Sequence, residues 1–177
     1  SASKGIILLG GPSRHFTWQP EKLIEQIDRI LRRDKDISWT IANSRRTPEI
    51  FSRLVETRLK RKIVCWRDVD NDWLENELAQ CGFTWVTPDS ISMVYEALTT
   101  QGRVGIFDMN PLGGGGKVSS SIDRLVKAGR LGRSSLGSLL QQLETFEPLQ
   151  ESHRCAQHII DTWFKKSKSR YVDRTTA

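Results

Sequence analysis

Three short stretches of this chain hold side chains suited to gripping an anion. The first is Asp89-Ser90-Ile91-Ser92-Met93, followed by Glu96. Ser90 and Ser92 stand where a helix is predicted to begin, and the first amides of a helix have no carbonyl partner and carry partial positive charge. Hydroxyls beside free amides suit a phosphate or diphosphate. Glu96 falls about one and a half turns further in, where a carboxylate can accept hydrogen bonds from sugar hydroxyls. The second stretch, Ser44-Arg45-Arg46-Thr47-Pro48, offers two guanidiniums able to take phosphate or carboxylate bidentately. The third, Gly10-Gly11-Pro12-Ser13, has adjacent glycines that let the backbone approach a ligand closely. Each stretch also has a plainer reading. Asp89, Ser90 and Ser92 suit the capping of any crossover helix, an arginine pair is often a solvated charge run, and a glycine turn joins many strands to helices.

The elements that must position these residues alternate regularly. Gly5 to Gly10 is a continuous apolar run, as in a central parallel strand covered on both faces. A helix follows from about Pro20, with Leu23, Ile27, Ile30 and Leu31 at helical spacing. Ile37 to Ala42 reads as a second strand and Glu49 to Lys60 as a helix, with Thr47 its N-cap and Pro48 at its first position. A short strand (Lys62 to Cys65), a helix (Asp72 to Gln80) and a strand (Phe83 to Thr87) come next. Pro88 ends that strand, and Ile91, Val94, Tyr95 and Leu98 mark one face of the helix beyond it. Val104 to Phe107 is a fifth strand, leading into a glycine-rich loop over 108–117 that is expected to be mobile, with Lys117 an anion contact at its end. Helices are expected from Ser119–Ser121 through Lys127, over Leu136–Leu143, and over Gln150–Lys165. Strands alternating with helices, and every candidate at a strand's carboxyl end, predict an α/β, Rossmann-like doubly wound parallel sheet of five or six strands. The domain is expected to occupy 1–165, with a basic tail over 166–177.

Composition narrows the classes. A length of 177 residues, 37% hydrophobic and 27% charged, allows one well-buried domain. A net charge of +6 favours anionic partners without choosing among them. Cys65, Cys81 and Cys155 are too scattered for a disulfide framework or a zinc site, and Cys65 and Cys81 read as buried thiols. His15, His153 and His158 lack metal-ligand spacing, so no metal or cofactor is called for, although His15 could reach a phosphate. Trp66, Trp73 and Trp85 read as packing residues. The scattered cysteines make a reducing, cytoplasmic setting the default, and no apolar run is long enough to span a membrane, which leaves only peripheral membrane contact. The abrupt start at Gly5 predicts a domain cut from a longer chain, with Ser1-Ala2-Ser3 added to it.

The order and spacing of the three stretches resemble the family named for a plant mitochondrial-fission factor, "elongated mitochondria", over roughly Gly5 to Phe107. Bacterial members are labelled nucleoside-diphosphate-sugar epimerases. The family is in turn similar to the nucleotide-sugar-binding half of a GT-B glycosyltransferase, two Rossmann-like domains facing a cleft. The resemblance implies a nucleoside-diphosphate-sugar donor, its diphosphate on Ser90, Ser92 and the Met93 backbone, its ribose on Glu96, and Gly11 and Ser13 facing it. It also implies a second, amino-terminal domain carrying the acceptor site and the catalytic base. The chain departs from the pattern at Arg67 to Asn71, which lacks an Asn-Pro-Tyr-like turn, and at Gln101-Gly102-Arg103-Val104, which replaces Gly-Lys-Pro-Val.

Two other chemistries fail on residues. An epimerase of the short-chain dehydrogenase type needs Tyr-x-x-x-Lys, but Tyr95 is followed by Thr99 and Tyr171 by Thr175. A Walker A loop fails at Pro111 and Val118. Glycosyl transfer, a non-catalytic interaction platform on the same fold, and a nucleic-acid binder using the basic tail remain. The tail has too few aromatic residues for a base-stacking surface, so nucleic acid is not an expected partner.

Overall fold

A computed structural model describes residues 3–113 and 116–143. The helix read over Gln150–Lys165 and the basic tail, with Cys155, His153 and His158, lie outside the described residues. Six strands form one sheet: β1 (Ser3–Leu9), β2 (Ile37–Asn43), β3 (Ile63–Val64), β4 (Phe83–Val86), β5 (Arg103–Ile106) and β6 (Gly132–Arg133). All pairs are parallel and the order is β3-β2-β1-β4-β5-β6. The helices between them are α1 (Pro20–Arg33), α2 (Glu49–Leu59), α3 (Trp73–Gln80), α4 (Ile91–Leu98) and α5 (Lys117–Lys127). A 3₁₀ turn (Ser134–Leu136) and a one-turn helix, α6 (Leu139–Gln142), follow β6. This is the doubly wound, Rossmann-like sheet that the alternation predicts.

The apolar run of β1 is explained by its position. Side chains alternate across a strand, so Ile7 and Leu9 face α1 and α2 with Leu23, Ile27, Phe51 and Val55. Ile6 and Leu8 face the opposite layer with Leu78, Val94, Leu98 and Ile122, from α3, α4 and α5. Both layers are covered over Gly5–Leu9, which is apolar throughout, whereas Ser3 and Lys4 at the start of the strand are exposed.

Trp85 shows how closely the sheet is fitted. Its indole is fully buried and its strand neighbour across the β4–β5 ladder is Gly105. A Cβ on Gly105 would lie 2.4 Å from the ring, so the glycine supplies the space that the indole fills. Phe107 packs against the same ring at 6.0 Å between centroids. The packing role read for Trp85 therefore holds. Trp66 and Trp73 differ: both are half-buried and border an open slot. Cys81 is buried, and that burial pushes its thiol up to about 11, whereas Cys65 is only partly covered.

Several local expectations shift. Tyr95 was predicted on the buried face of α4, but it is 40% exposed and Ala97 takes the buried place with Val94 and Leu98. Helix α5 begins at Lys117, so Ser119–Ser121 lie within it rather than capping it. The segment expected as a mobile loop is tied down over its first half. Thr17 N–H donates to the Asn110 carbonyl (2.8 Å), Leu112 N–H to the His15 carbonyl (2.8 Å), and Phe16 bridges Pro111. Strand β6 has only Gly132 and Arg133, too short for any side-chain pattern to announce it.

Trp85→Ala should lower unfolding free energy by about 3–5 kcal/mol through the lost burial and the cavity left behind. Urea unfolding followed by fluorescence of the remaining tryptophans and by circular dichroism measures it; a loss below about 1 kcal/mol would contradict this account of the core.

Candidate functional site

The strand order reverses beside β1: the chain moves from β1 to β2 and β3 on one side, then returns to β4 on the other. Ligands of open α/β sheets bind in the crevice at the carboxyl ends of such strands. The loops after β1, β2 and β4 meet there, and they are held together by a buried carboxylate.

Asp89 follows Pro88 at the end of β4, and its side chain has no exposure at all. Oδ2 accepts the Gly11 N–H (3.0 Å) and an Arg46 Nη2–H (2.7 Å). Oδ1 has no hydrogen-bond partner among the described residues. Burial pushes the Asp89 pKa above the usual carboxylate range, against the opposing pull of Thr87, the Gly11 amide and Arg46. Asp89 is therefore not the cap of α4; it reaches back to the first loop. The cap position is Ser90, whose hydroxyl makes no capping bond. The close approach allowed by the two glycines is to the chain itself. A Cβ on Gly10 would lie 2.3 Å from an Asp89 carboxylate oxygen, and one on Gly11 would lie 1.9 Å from the Arg46 carbonyl oxygen.

Two threonines complete the clamp, and residue-type reading missed both roles. Gly10 N–H donates to Thr87 Oγ1 (2.7 Å). Thr47 Oγ1 lies 2.7 and 2.6 Å from the carbonyl oxygens of Leu9 and Gly10 and accepts the Ser44 N–H at 2.9 Å. Thr47 thus joins the β1 and β2 loops, and Pro48 occupies the N-cap position of α2 that was assigned to Thr47.

Two clefts lie around this floor. One is polar, about 380 Å³, and is bordered by Ser13, Arg14, His15, Arg46, Ser90 and Ser92, with Asp89 beneath. Ser13 Oγ accepts the His15 N–H (3.1 Å), which fixes the turn and leaves its own proton to donate. The hydroxyls of Ser90 and Ser92 bond no described residue. The amides of Ile91, Ser92 and Met93, in the first turn of α4, have no preceding helix carbonyl to pair with. The other cleft is an apolar slot of about 190 Å³ whose walls include Leu9, Val64, Trp66, Trp73 and Met93, with Ser44, Arg45 and Asp70 at its polar points.

The predicted residues therefore fall into two groups. Ser13, Arg46, Asp89, Ser90 and Ser92 surround the polar cleft. Ser44, Arg45 and Met93 border the slot, so the arginine pair divides between them. Gly11 borders neither cleft but secures Asp89. Glu96 and Lys117 border neither cleft as well. Glu96 is exposed on α4, and its carboxyl pKa is raised by partial burial and by the nearby Glu75 of α3. Arg67 to Asn71, where the sequence departs from the family pattern, contributes Val69 and Asp70 to the slot. Among the described residues, no group of three histidine, cysteine or carboxylate side chains gathers as a metal site, and no helix is long and apolar enough to cross a membrane.

The family model described as "Mitochondrial fission ELM1" matches residues 1–163. The chain belongs to that family. No curated protein matches it. Within this ELM1-family chain, the match spans all three loops of the crevice and both clefts.

The Asp89 clamp predicts an unusual pH response. The folded state holds the Asp89 proton more tightly than the unfolded chain does, so between the ordinary carboxylate pKa and the raised one the folded state binds more protons. Stability contributed at this site therefore falls as pH rises through that window. Asp89→Asn should flatten the decline of melting temperature as pH rises above the ordinary carboxylate pKa, relative to wild type. Parallel slopes in the two proteins would show that Asp89 titrates normally.

Proposed function

We propose that this chain is the nucleotide-sugar-binding domain of a GT-B-like glycosyltransferase. One observation supports the reading most: two clefts of unlike chemistry are bordered by consecutive residues, Ser92 and Met93 in the first turn of α4 and Arg46 and Arg45 in the β2 loop. The slot alone is smaller than the roughly 300–1,000 Å³ typical of a whole ligand site, whereas the two clefts together fall in that range. A nucleoside diphosphate divides in the same way, into a flat apolar base and a charged diphosphate. On this reading the base enters the slot beside Trp66 and Met93. The diphosphate lies against the Ile91–Met93 amides, the hydroxyls of Ser13, Ser90 and Ser92, and the guanidinium of Arg46.

The same groups serve the chemistry of transfer. As an acceptor oxygen attacks the anomeric carbon, the bond to the diphosphate breaks and negative charge grows on the departing oxygen. Preorganised amides and a guanidinium stabilise that charge where it develops. Glu96 is assigned to ribose hydroxyls by the GT-B resemblance. The acceptor and catalytic base are assigned, also by resemblance, to a second domain of the same protein, and the nucleotide sugar is substrate, with no cofactor required.

A second reading draws on Asp89. A buried carboxylate beneath the polar cleft opposes a diphosphate and already holds Arg46. A chain that keeps the fold as an interaction platform would show this pairing and bind no nucleotide.

Calorimetry and thermal-shift measurements with UDP, GDP, CDP and ADP separate the two. At about a hundred times its dissociation constant, a bound nucleotide should stabilise the protein by about 2.7 kcal/mol. Arg46→Ala should weaken that ligand roughly 10-fold through loss of a charge-assisted bond, and Glu96→Ala should weaken it by a similar factor. No stabilisation by any nucleoside diphosphate would transfer the case to the interaction platform.

A further inference from the structure

The polar inventory of the slot says which base it would select. Most polar groups there are already engaged. Asn43 Nδ2 donates to Ser52 Oγ (3.2 Å), and its Oδ1 accepts the Trp66 N–H (2.9 Å). Ser44 Oγ lies 3.3 Å from Thr47 Oγ1 and accepts the Arg46 N–H at 3.3 Å. Two charged side chains stand apart from this network. Asp70 uses its backbone carbonyl to accept the Trp73 N–H (3.4 Å), while its carboxylate makes no hydrogen bond or ion pair with a described residue. Arg45 rests its guanidinium 5.7 Å from the centre of the Trp66 ring and has no carboxylate partner among the described residues. At its exposed edge the slot thus adds one acceptor-only side chain, Asp70, and one donor-only side chain, Arg45, to largely apolar walls.

From this juxtaposition we infer that the slot is selective for guanine, with Asp70 as the specificity-determining residue. The inference rests on the reading of the slot as a base site. Guanine offers two parallel N–H donors, at N1 and the 2-amino group, which a carboxylate accepts with both oxygens. Its opposite edge offers the O6 and N7 acceptors, which match a guanidinium. The other bases fit Asp70 badly. Uracil sets its single N–H between two carbonyl oxygens, which face the carboxylate with like charge. Adenine and cytosine place a ring-nitrogen lone pair beside their amino group, so one carboxylate oxygen meets an acceptor instead of a donor. Trp66 and Trp73 supply aromatic surface at which any base could be covered, so the discrimination falls on the polar edge.

Calorimetric titration of the chain with GDP, IDP, ADP, UDP and CDP tests this directly. GDP should bind roughly 10- to 100-fold tighter than ADP, UDP or CDP. IDP, which keeps N1–H but lacks the 2-amino group, should fall between. Asp70→Asn should weaken GDP by at least about 10-fold and leave UDP nearly unchanged, with the unfolding midpoint of the variant confirming that its fold is intact. Binding of UDP or ADP as tightly as GDP, or an Asp70→Asn protein that still prefers GDP, overturns the guanine assignment and leaves the nucleotide reading standing. Absence of binding by every nucleotide overturns both.

Discussion

A carboxylate taken wholly out of water costs several kcal/mol unless donors surround it, and the architecture of this crevice follows from meeting that cost at Asp89. The Gly11 amide and the Arg46 guanidinium come from two loops remote in sequence, and each supplies a donor to Oδ2. Bringing them there forces the β1 loop onto Asp89 and Arg46 with no room for a Cβ at Gly10 or Gly11. Thr47 then ties the β2 loop to the carbonyls of Leu9 and Gly10, and Thr87 takes the Gly10 amide. Three loops that would otherwise move independently share one buried hub. The hydroxyls and amides above it can be preorganised because the floor beneath them is fixed.

The sheet provides the other half of that rigidity. A strand buried on both faces leaves its ends as the only places for polar chemistry, and β1, flanked by β2 and β4, ends where the strand order reverses. Trp85 sits one residue before the end of β4, with its ring filling the space left by Gly105. The Trp85–Gly105 fit fixes the β4–β5 register close to the point where Asp89 leaves the sheet. Further along, the Asp108 carboxylate accepts from Ser134, Ser135 and Arg133. Burial raises its pKa, but these donors outweigh burial and hold it below the usual range. The far side of the crevice is thereby fastened as well.

Which parts of this were legible in the sequence follows from the range of the interactions. Apolar runs and helical spacing are local, and they placed five of the strands, the main helices and the three loops at the correct end of the sheet. Asp89 shows where local reading stops. Its place before a helix suggests a cap, and nothing within a few residues reveals that its partner is Gly11, 78 positions earlier. Thr47 was misplaced for the same reason: its hydroxyl serves Leu9 and Gly10 rather than its own helix. Tyr95 obeys helical periodicity, but α4 turns the smaller Ala97 inward beside Val94. The slot is the largest omission. Trp66 and Asp70 belong to a connecting segment without periodic pattern and Trp73 opens α3, and their convergence with Met93 depends on α3 and α4 lying in the same core layer on the sheet.

The distribution of charge in the crevice bears on how an anion would be held. Arg46 is the cation nearest the floor, yet its guanidinium is shared with Asp89, so the local pair is close to neutral. Beyond that pair the polar cleft offers the exposed guanidinium of Arg14, three hydroxyls and the leading amides of α4. Such a grip works through direction and fixed distance, because neutral donors lose little to screening while a cation cluster at a surface loses most of its attraction over about 8 Å at physiological salt. It favours a ligand whose oxygens match the positions of the donors over one that merely carries charge. A loose basic patch would accept any polyanion, including nucleic acid. Such a hub suits the small ligand proposed above better than a polyanion, because in the cleft lining only Arg14 adds charge beyond the Arg46–Asp89 pair, while the hydroxyls and amides set direction.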